Sequence, residues 1–501
     1  MNTINWSSMS AEWVRCRRLR GIFVKKIFKK GISLLCAAAL VLGCAACSGG
    51  SPKQTAVTDI TVWTYYNGDQ MESFTKLVDE FNSTVGAEKG ISVSTESLGS
   101  VNDLEASVMD AAEGKVGASE LPNIFSAYAD TAYAMDQMGM LVDLAPYLSD
   151  AERNTFVNGY LSEGDFNGSG EIKIFPVAKA TELMFLNDTD WQVFADAAGA
   201  SYDDLATLEG LVETAGKYYD WTDAQTDTPD DGKALFGRDA MANYMLVGAQ
   251  QLGDAIFEVQ DGKMTVNFDH DVARKLWDNY YVPFVKGWFT ASGRFRSDDV
   301  KTGNVLGYVG SCSSATFFPT QVTTDDSVSH DISMKVLQSP KFADGEDVAV
   351  QQGAGMVVTT GTEDEIKASV EFLKWFTQPE NNIAFSVGSG YLPVTQDAND
   401  MDTIHASGLS LSGNMEQILS GAVQTVKTDR LYTPSAFEGG ASARKVLEYG
   451  LSDLAAADRE TVVERIAAGQ SAADAEAEFL TDDYFENWYQ DICSQLKQYE
   501  G

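Results

Sequence analysis

The chain is well supplied with groups that hold small polar molecules and poorly supplied with groups that transform them. Trp63, Tyr65, Tyr66, Tyr128 and Asp130 stand at the ends of short apolar runs, and Lys179 and Glu182 interrupt another such run. Ser311 and Ser313, in Gly310-Ser311-Cys312-Ser313-Ser314, open a hydroxyl-rich helix start. Free N–H groups and serine hydroxyls there can hold anions or sugar oxygens, although the same pattern is an ordinary helix start. Gly353 follows a glutamine pair, and Tyr391 lies in a glycine-flanked turn that offers an aromatic ring little core to join. Reactive arrangements are missing. His270, His330 and His405 show no metal-ligand spacing, and there is no Gly-x-Ser-x-Gly elbow or phosphate loop. The stretch from Asp165 to Glu171 begins like a calcium loop, but Pro176 stands where a bidentate Glu is needed. No pair of carboxylates is singled out for glycoside cleavage. No metal or cofactor is expected.

The N-terminus carries a different chemistry. Lys25, Lys26, Lys29 and Lys30 precede an apolar run that ends in Val41-Leu42-Gly43-Cys44. A basic segment, a short apolar run and small residues at the junction make a secretory signal. The run is too short to span a bilayer, which takes about 20 apolar residues. Val41-Leu42-Gly43-Cys44 resembles a lipobox, in which the thiol takes a diacylglyceryl group and the cysteine becomes the new N-terminus; Cys47 is the alternative site. Residues 1–43 are thus read as signal peptide and 44–58 as lipidated N-terminus and flexible tether. Lipid chains contribute about 0.8 kcal/mol per buried methylene, which holds the body on the outer face of the membrane. Of the net charge of −37, residues 1–47 carry +7 and the remainder −44. Such a body repels nucleic acid and anionic lipid surfaces. Beyond residue 47 only Cys312 and Cys493 remain, which is no disulfide framework.

The elements that must position these groups follow from periodicity. Residues 60–66 read as a strand rich in branched and aromatic side chains. Met71, Phe74, Leu77, Val78 and Phe81 then follow at helical spacing. A strand at 91–95, a helix at 101–113 and a strand at 121–126 complete a β-α-β-α-β run, the pattern of a parallel sheet. Ligands sit beyond the carboxyl ends of such strands, which places Trp63, Tyr65, Tyr66, Tyr128 and Asp130 at one mouth. Successive strand residues face opposite ways, so only one of Tyr65 and Tyr66 belongs there; Trp63 reads equally as core. Strands are expected at 172–176 and 177–187, where Lys179 and Glu182 reach the mouth or pair with each other. Residues 256–268 read as a hairpin turning at Asp261-Gly262, 269–285 as a long helix, and Thr362 with Glu365 as a capping box.

The ordered set 60–66, 121–130, 175–187, 304–314, 353–360, 370–379 and 390–393 behind a lipobox resembles the family 1 extracellular solute-binding proteins of ABC importers. That family includes maltose- and glycerol-phosphate-binding proteins. The resemblance implies an α/β fold of the periplasmic-binding-protein type II, two lobes with a ligand cleft between them. Lobe I would be 56–176 plus 353–395 and lobe II 177–352 plus 396–501, with crossings near 175–177, 350–353 and 393–397. It implies a membrane-anchored protein that captures a mono- or oligosaccharide by lobe closure, works as a monomer and delivers its ligand to the permease. Aromatic platforms and polar side chains match a sugar's apolar faces and hydroxyls. The platforms would be Trp63, Tyr65, Tyr66, Tyr128, Trp288 and Tyr391. The polar partners would be Asp130, Lys179, Glu182, Asn243, Ser311, Ser313 and Arg444, with Gly353 at a crossing.

Two alternatives share this fold. Arg444, the serines and Tyr391 resemble the phosphate-holding set of glycerol-phosphate binders, since an Arg fork matches phosphate oxygens. The Gly-rich segment before Arg444 departs from that pattern, and an acidic body attracts anions poorly. A ligand-sensing lipoprotein would use the same cleft, and a carbohydrate-active enzyme is the least supported reading.

Overall fold

A computed structural model describes residues 57–260, 262–324 and 328–501. Cys44, Cys47 and the signal and tether up to residue 56 lie outside the described residues. No helix among those described is long and apolar enough to cross a membrane.

Eight strands make two four-stranded sheets. In chain order they are β1 (Thr58–Thr64), β2 (Ile91–Ser97), β3 (Ile124–Ala127), β4 (Glu182–Asn187), β5 (Phe236–Arg238), β6 (Gly307–Ser311), β7 (Met334–Gln338) and β8 (Gly355–Val358). The first sheet runs β8-β3-β1-β2 and the second β7-β4-β6-β5. β1 pairs in parallel with β2 and β3, as the alternating pattern predicts, while β8 returns antiparallel beside β3. Helix α1 (Gly68–Ser83) buries Phe74, Leu77, Val78 and Phe81. Phe74 and Phe81 meet Phe376 and Phe372 at ring distances of 5.5 and 5.2 Å. Each such side chain contributes about 1.5–3 kcal/mol by leaving water. β4 is buried along its whole length. Leu183 and Phe185 face one core while Met184 and Leu186 face the other, the two-residue period of a central strand.

Several elements differ from the sequence expectation. Residues 172–176 form no strand; Phe175 makes a single antiparallel bridge to Met356. The strand expected at 177–187 begins only at Glu182. Pro379 occupies the first turn of the helix Pro379–Ser389. The capping box at Thr362 and Glu365 and the hairpin of Phe257–Gln260 with Lys263–Val266 are present. Cys312 and Cys493 are unbonded.

Between the sheets the chain passes close to itself at three levels. Phe175 and Met356 exchange hydrogen bonds of 2.8 Å each, and Ala180 and Gln352 exchange bonds of 2.9 and 2.8 Å. Lys179 and Leu392 do the same at 3.1 and 2.6 Å. Gly353 sits inside this knot with φ of +86°, and a Cβ there would stand 2.8 Å from the Ala178 carbonyl oxygen. Only glycine satisfies both conditions. Gly353→Ala should therefore lower unfolding free energy by about 1–3 kcal/mol, read as a lower urea midpoint with unchanged slope.

Candidate functional site

β1 ends at Thr64, so Tyr65 and Tyr66 leave its carboxyl end, where open α/β sheets gather ligands. Tyr65 stacks on Tyr128 with ring centroids 6.4 Å apart, and its hydroxyl shares a 3.2 Å hydrogen bond with that of Tyr391. Tyr66 turns the other way, against Phe74 and Phe385. Burial holds the phenols of Tyr65, Tyr128 and Tyr391 above their ordinary pKa, so they remain neutral hydrogen-bonding groups. Tyr391 is only 4% exposed and stacks on Phe385, which corrects the expectation of an aromatic with no core to join. The cause is Gly390, whose φ of +75° ends helix Pro379–Ser389 and turns the tyrosine inward. Trp63 is core.

A cavity of about 360 Å³ opens beside this tyrosine cluster. Tyr128 and Asp130 line it from the side of the first sheet; Asn243, Arg444 and Glu448 line it from the side of the second. Asn243 belongs to helix Met241–Gln251 and Arg444 to helix Gly440–Tyr449, which pack on each other. One hydrogen-bonded chain links the second set. Arg444 donates to the Asn243 side-chain oxygen, and the Asn243 amide donates to Glu182 at 2.8 Å. Glu182 in turn pairs with Arg238. Burial raises the pKa of Glu182, opposed by Arg238 and by the Asn243 hydrogen bond. The cavity lies within the range of about 300–1,000 Å³ usual for small-molecule sites. A much smaller hollow, of about 30 Å³, lies on the other side of Glu182 and Arg238.

Lys179 and Glu182 do not pair with each other. Lys179 is fully buried, pairs with Glu163 and donates to the Gly353 carbonyl at 2.9 Å. Glu163, sixteen residues upstream, borders the cavity. Ser311 and Ser313 share a 2.9 Å hydrogen bond, and the Ser313 carbonyl accepts from Gln70 at 3.1 Å; neither serine lines the cavity. Trp288 lies elsewhere, beneath Lys286 and against Gly216. Three groups that the sequence reading passed over are more telling. The Gln351 Nε2, Gln352 Oε1 and Thr433 Oγ1 atoms are buried without a protein partner among the described residues, and all three residues line the cavity. Each such group costs about 1–3 kcal/mol until something bonds it. Only the paired glutamines beside a glycine hinted at them in sequence. His270, His330 and His405 each meet a carboxylate, and no metal-binding cluster occurs among the described residues.

The cavity is thus walled by helices and loops that flank both sheets and is lined with binding groups. Residues 76–409 match the family model described as bacterial extracellular solute-binding protein. The chain belongs to this family. No curated protein sequence matches it significantly. Among solved structures it is similar to the cyclic α-maltosyl-1,6-maltose binding protein of Arthrobacter globiformis, with a TM-score of 0.62 and 17% identity, covering 88% of this chain and 100% of that one. UgpB of Mycobacterium tuberculosis, in complex with glycerophosphocholine, gives 0.63 and 16% over 88% and 100%. The galacto-N-biose/lacto-N-biose I-binding protein of Bifidobacterium longum gives 0.59 and 17% over 89% and 99%. The fold of this solute-binding protein is thus the two-lobe α/β arrangement.

Two variants test the electrostatics. Lys179→Met strands the buried Glu163 carboxylate and should cost about 3–5 kcal/mol in denaturant unfolding, and adding Glu163→Leu should recover most of it. Burial pushes the Asp130 carboxyl up from its ordinary value near 3.8 to about 6, against the pull of Arg444. A raised acid contributes stability in full below its unfolded pKa and loses it as pH rises through the folded one. Melting temperatures measured between about pH 4 and pH 6.5 should therefore fall, with rising pH, more for the parent than for Asp130→Asn.

Proposed function

We propose that the protein is a substrate-binding component of an ABC importer that encloses a neutral carbohydrate between its lobes. The cavity of about 360 Å³ supports this most directly, because both lobes contribute to its wall. Tyr128 offers an apolar face, while Asp130, Asn243, Arg444 and the unpartnered Gln351, Gln352 and Thr433 offer hydroxyl partners. The lobes are 56–176 plus 353–395 and 177–352 plus 396–501. The hinge is the knot of hydrogen bonds around Gly353, and ligand closes the lobes about it. The closed form is what the permease subunits recognise. Residues 1–43 direct export, and Cys44, or alternatively Cys47, carries the lipid that tethers a monomeric body outside the cell membrane.

Arg444 gives a phosphorylated ligand some support, as an Arg fork suits phosphate. The same wall holds Glu105, Asp130 and Glu448, and Arg444 already serves Asn243. This arrangement favours a neutral ligand.

Thermal-shift screening of residues 48–501 against neutral saccharides and glycerol or sugar phosphates tests the reading, since a ligand of the folded state alone raises its melting temperature. The expected result is a shift with saccharides and about tenfold weaker binding by Asn243→Ala, the loss of one good hydrogen bond. A shift with phosphates only would replace this proposal, and no shift with either would remove its ligand class.

A further inference from the structure

Helix Gly440–Tyr449 has a second lined face. Ala441, Arg444 and Glu448 line the cavity, whereas Ser442, Val446 and Gly450 line a separate groove of about 880 Å³ against helix Asp482–Leu496. Rings make up much of its wall: Tyr449, Tyr484, Trp488 and Tyr499. The Trp488 Nε1 donates to the Gly450 carbonyl at 3.1 Å, and the Tyr484 hydroxyl donates to Asp458 at 2.8 Å. Those polar ends are satisfied within the protein, so what the two side chains offer the groove is ring surface. Tyr449 remains 52% exposed. A Cβ at Gly450 would stand 2.3 Å from the Ile492 Cδ1, so the missing side chain lets the helices approach this closely and holds the rings in place.

Two carboxylates, Asp453 and Asp491, line the same groove, and both are exposed. Asp482 and Glu486, on the helix that carries Asp491, are paired with Arg274 and His270. Asp453 and Asp491 make no ion pair among the described residues; Asp491 accepts from Gln495 at 2.7 Å. Lys445 is the one basic residue lining the groove, and its charge serves the cavity: burial raises the pKa of Glu105 there, and Lys445 opposes that rise. We propose that the groove is a second ligand site, outside the cavity, that takes a weakly hydrated organic cation such as an alkylated ammonium. Ring faces attract such a cation through their quadrupoles, and two unpaired carboxylates supply the opposite charge. A compact ammonium or a metal ion holds its water too strongly for a wall of rings. An anion would meet both carboxylates, and the acidic body draws cations towards itself. This site goes beyond the carbohydrate reading of the cavity and does not depend on it.

Titration calorimetry at low salt, with choline and with its uncharged isostere that has carbon in place of nitrogen, tests the site. Choline should bind saturably, and the isostere about tenfold more weakly. The double variant Asp453→Asn/Asp491→Asn changes only exposed side chains, and an unchanged melting temperature would verify its fold. It should weaken choline by about tenfold and leave the isostere unaffected. Tyr499→Leu, which keeps apolar bulk but loses the ring, should also weaken choline more than the isostere. An isostere that binds as tightly as choline overturns the cation. Choline binding that survives the groove variants and is lost in Asn243→Ala places the cation in the cavity and overturns the second site. Absence of saturable choline binding overturns it as well. Each of these outcomes leaves saccharide binding by the cavity to its own test.

Discussion

One buried ion pair ties this molecule together. Lys179 has no exposed surface, and its ammonium is shared between the Glu163 carboxylate and the Gly353 carbonyl. Removing two such charges from water costs several kcal/mol per ion, so the arrangement survives only where its geometry leaves nothing unpaired. That requirement constrains three stretches of chain at once. The Lys179 backbone exchanges hydrogen bonds with Leu392, its side chain reaches Gly353, and Glu163 is held from upstream. The crossing between the two sheets is thereby fixed in register. Gly353 can turn its carbonyl to the lysine in this conformation because it carries no Cβ, which would strike Ala178.

Glu163 also borders the cavity, so the crossing and the binding site share a charged group. The second wall is built by a similar device. The chain from Arg238 through Glu182 and Asn243 to Arg444 carries the order of β4 and β5 out to the cavity surface. Rigid elements hold the polar groups, and of the unpartnered groups on residues that line the cavity, Gln351 and Gln352 belong to the segment that leads into Gly353. A ligand that satisfies Gln351 and Gln352 would be bonding to a segment of the hinge proposed above. On the proposed function, that placement would couple binding to closure.

The sequence made the frame of the molecule legible and much of the site obscure. The strand at 60–66 and the helix with Phe74, Leu77, Val78 and Phe81 follow from local periodicity, which survives folding because each buries its own face. The aromatics after β1 and the pair Asn243 and Arg444 could be proposed because their chemistry is visible in residue type. Tyr391 looked exposed because a turn is a local feature, whereas the ring of Phe385 that covers it comes from helix packing. Trp288 looked like a platform for the same reason, and it lies instead against Gly216. The partner of Lys179 was missed because two acidic residues at sequence distances of three and sixteen are equal candidates until the chain is folded. Gln351, Gln352 and Thr433 gave almost no signal at all. Being unpartnered is a property of the whole fold and is written in no single residue.

The central claim is that ligand lies between two lobes that close upon it, and a reversible cross-lobe lock tests it most directly. A Cβ on Gly440 would stand 3.2 Å from the Asp130 Cγ, the place a cysteine sulfur would take at position 130. The two positions, one in each proposed lobe, are therefore close enough to be bridged by a disulfide. In an Asp130→Cys/Gly440→Cys variant, with Cys493→Ser to prevent mispairing, ligand uptake would be followed oxidised and then reduced. The account predicts that the oxidised protein neither takes up nor releases ligand and that reduction restores exchange. Free exchange in the oxidised, fully cross-linked protein would contradict it.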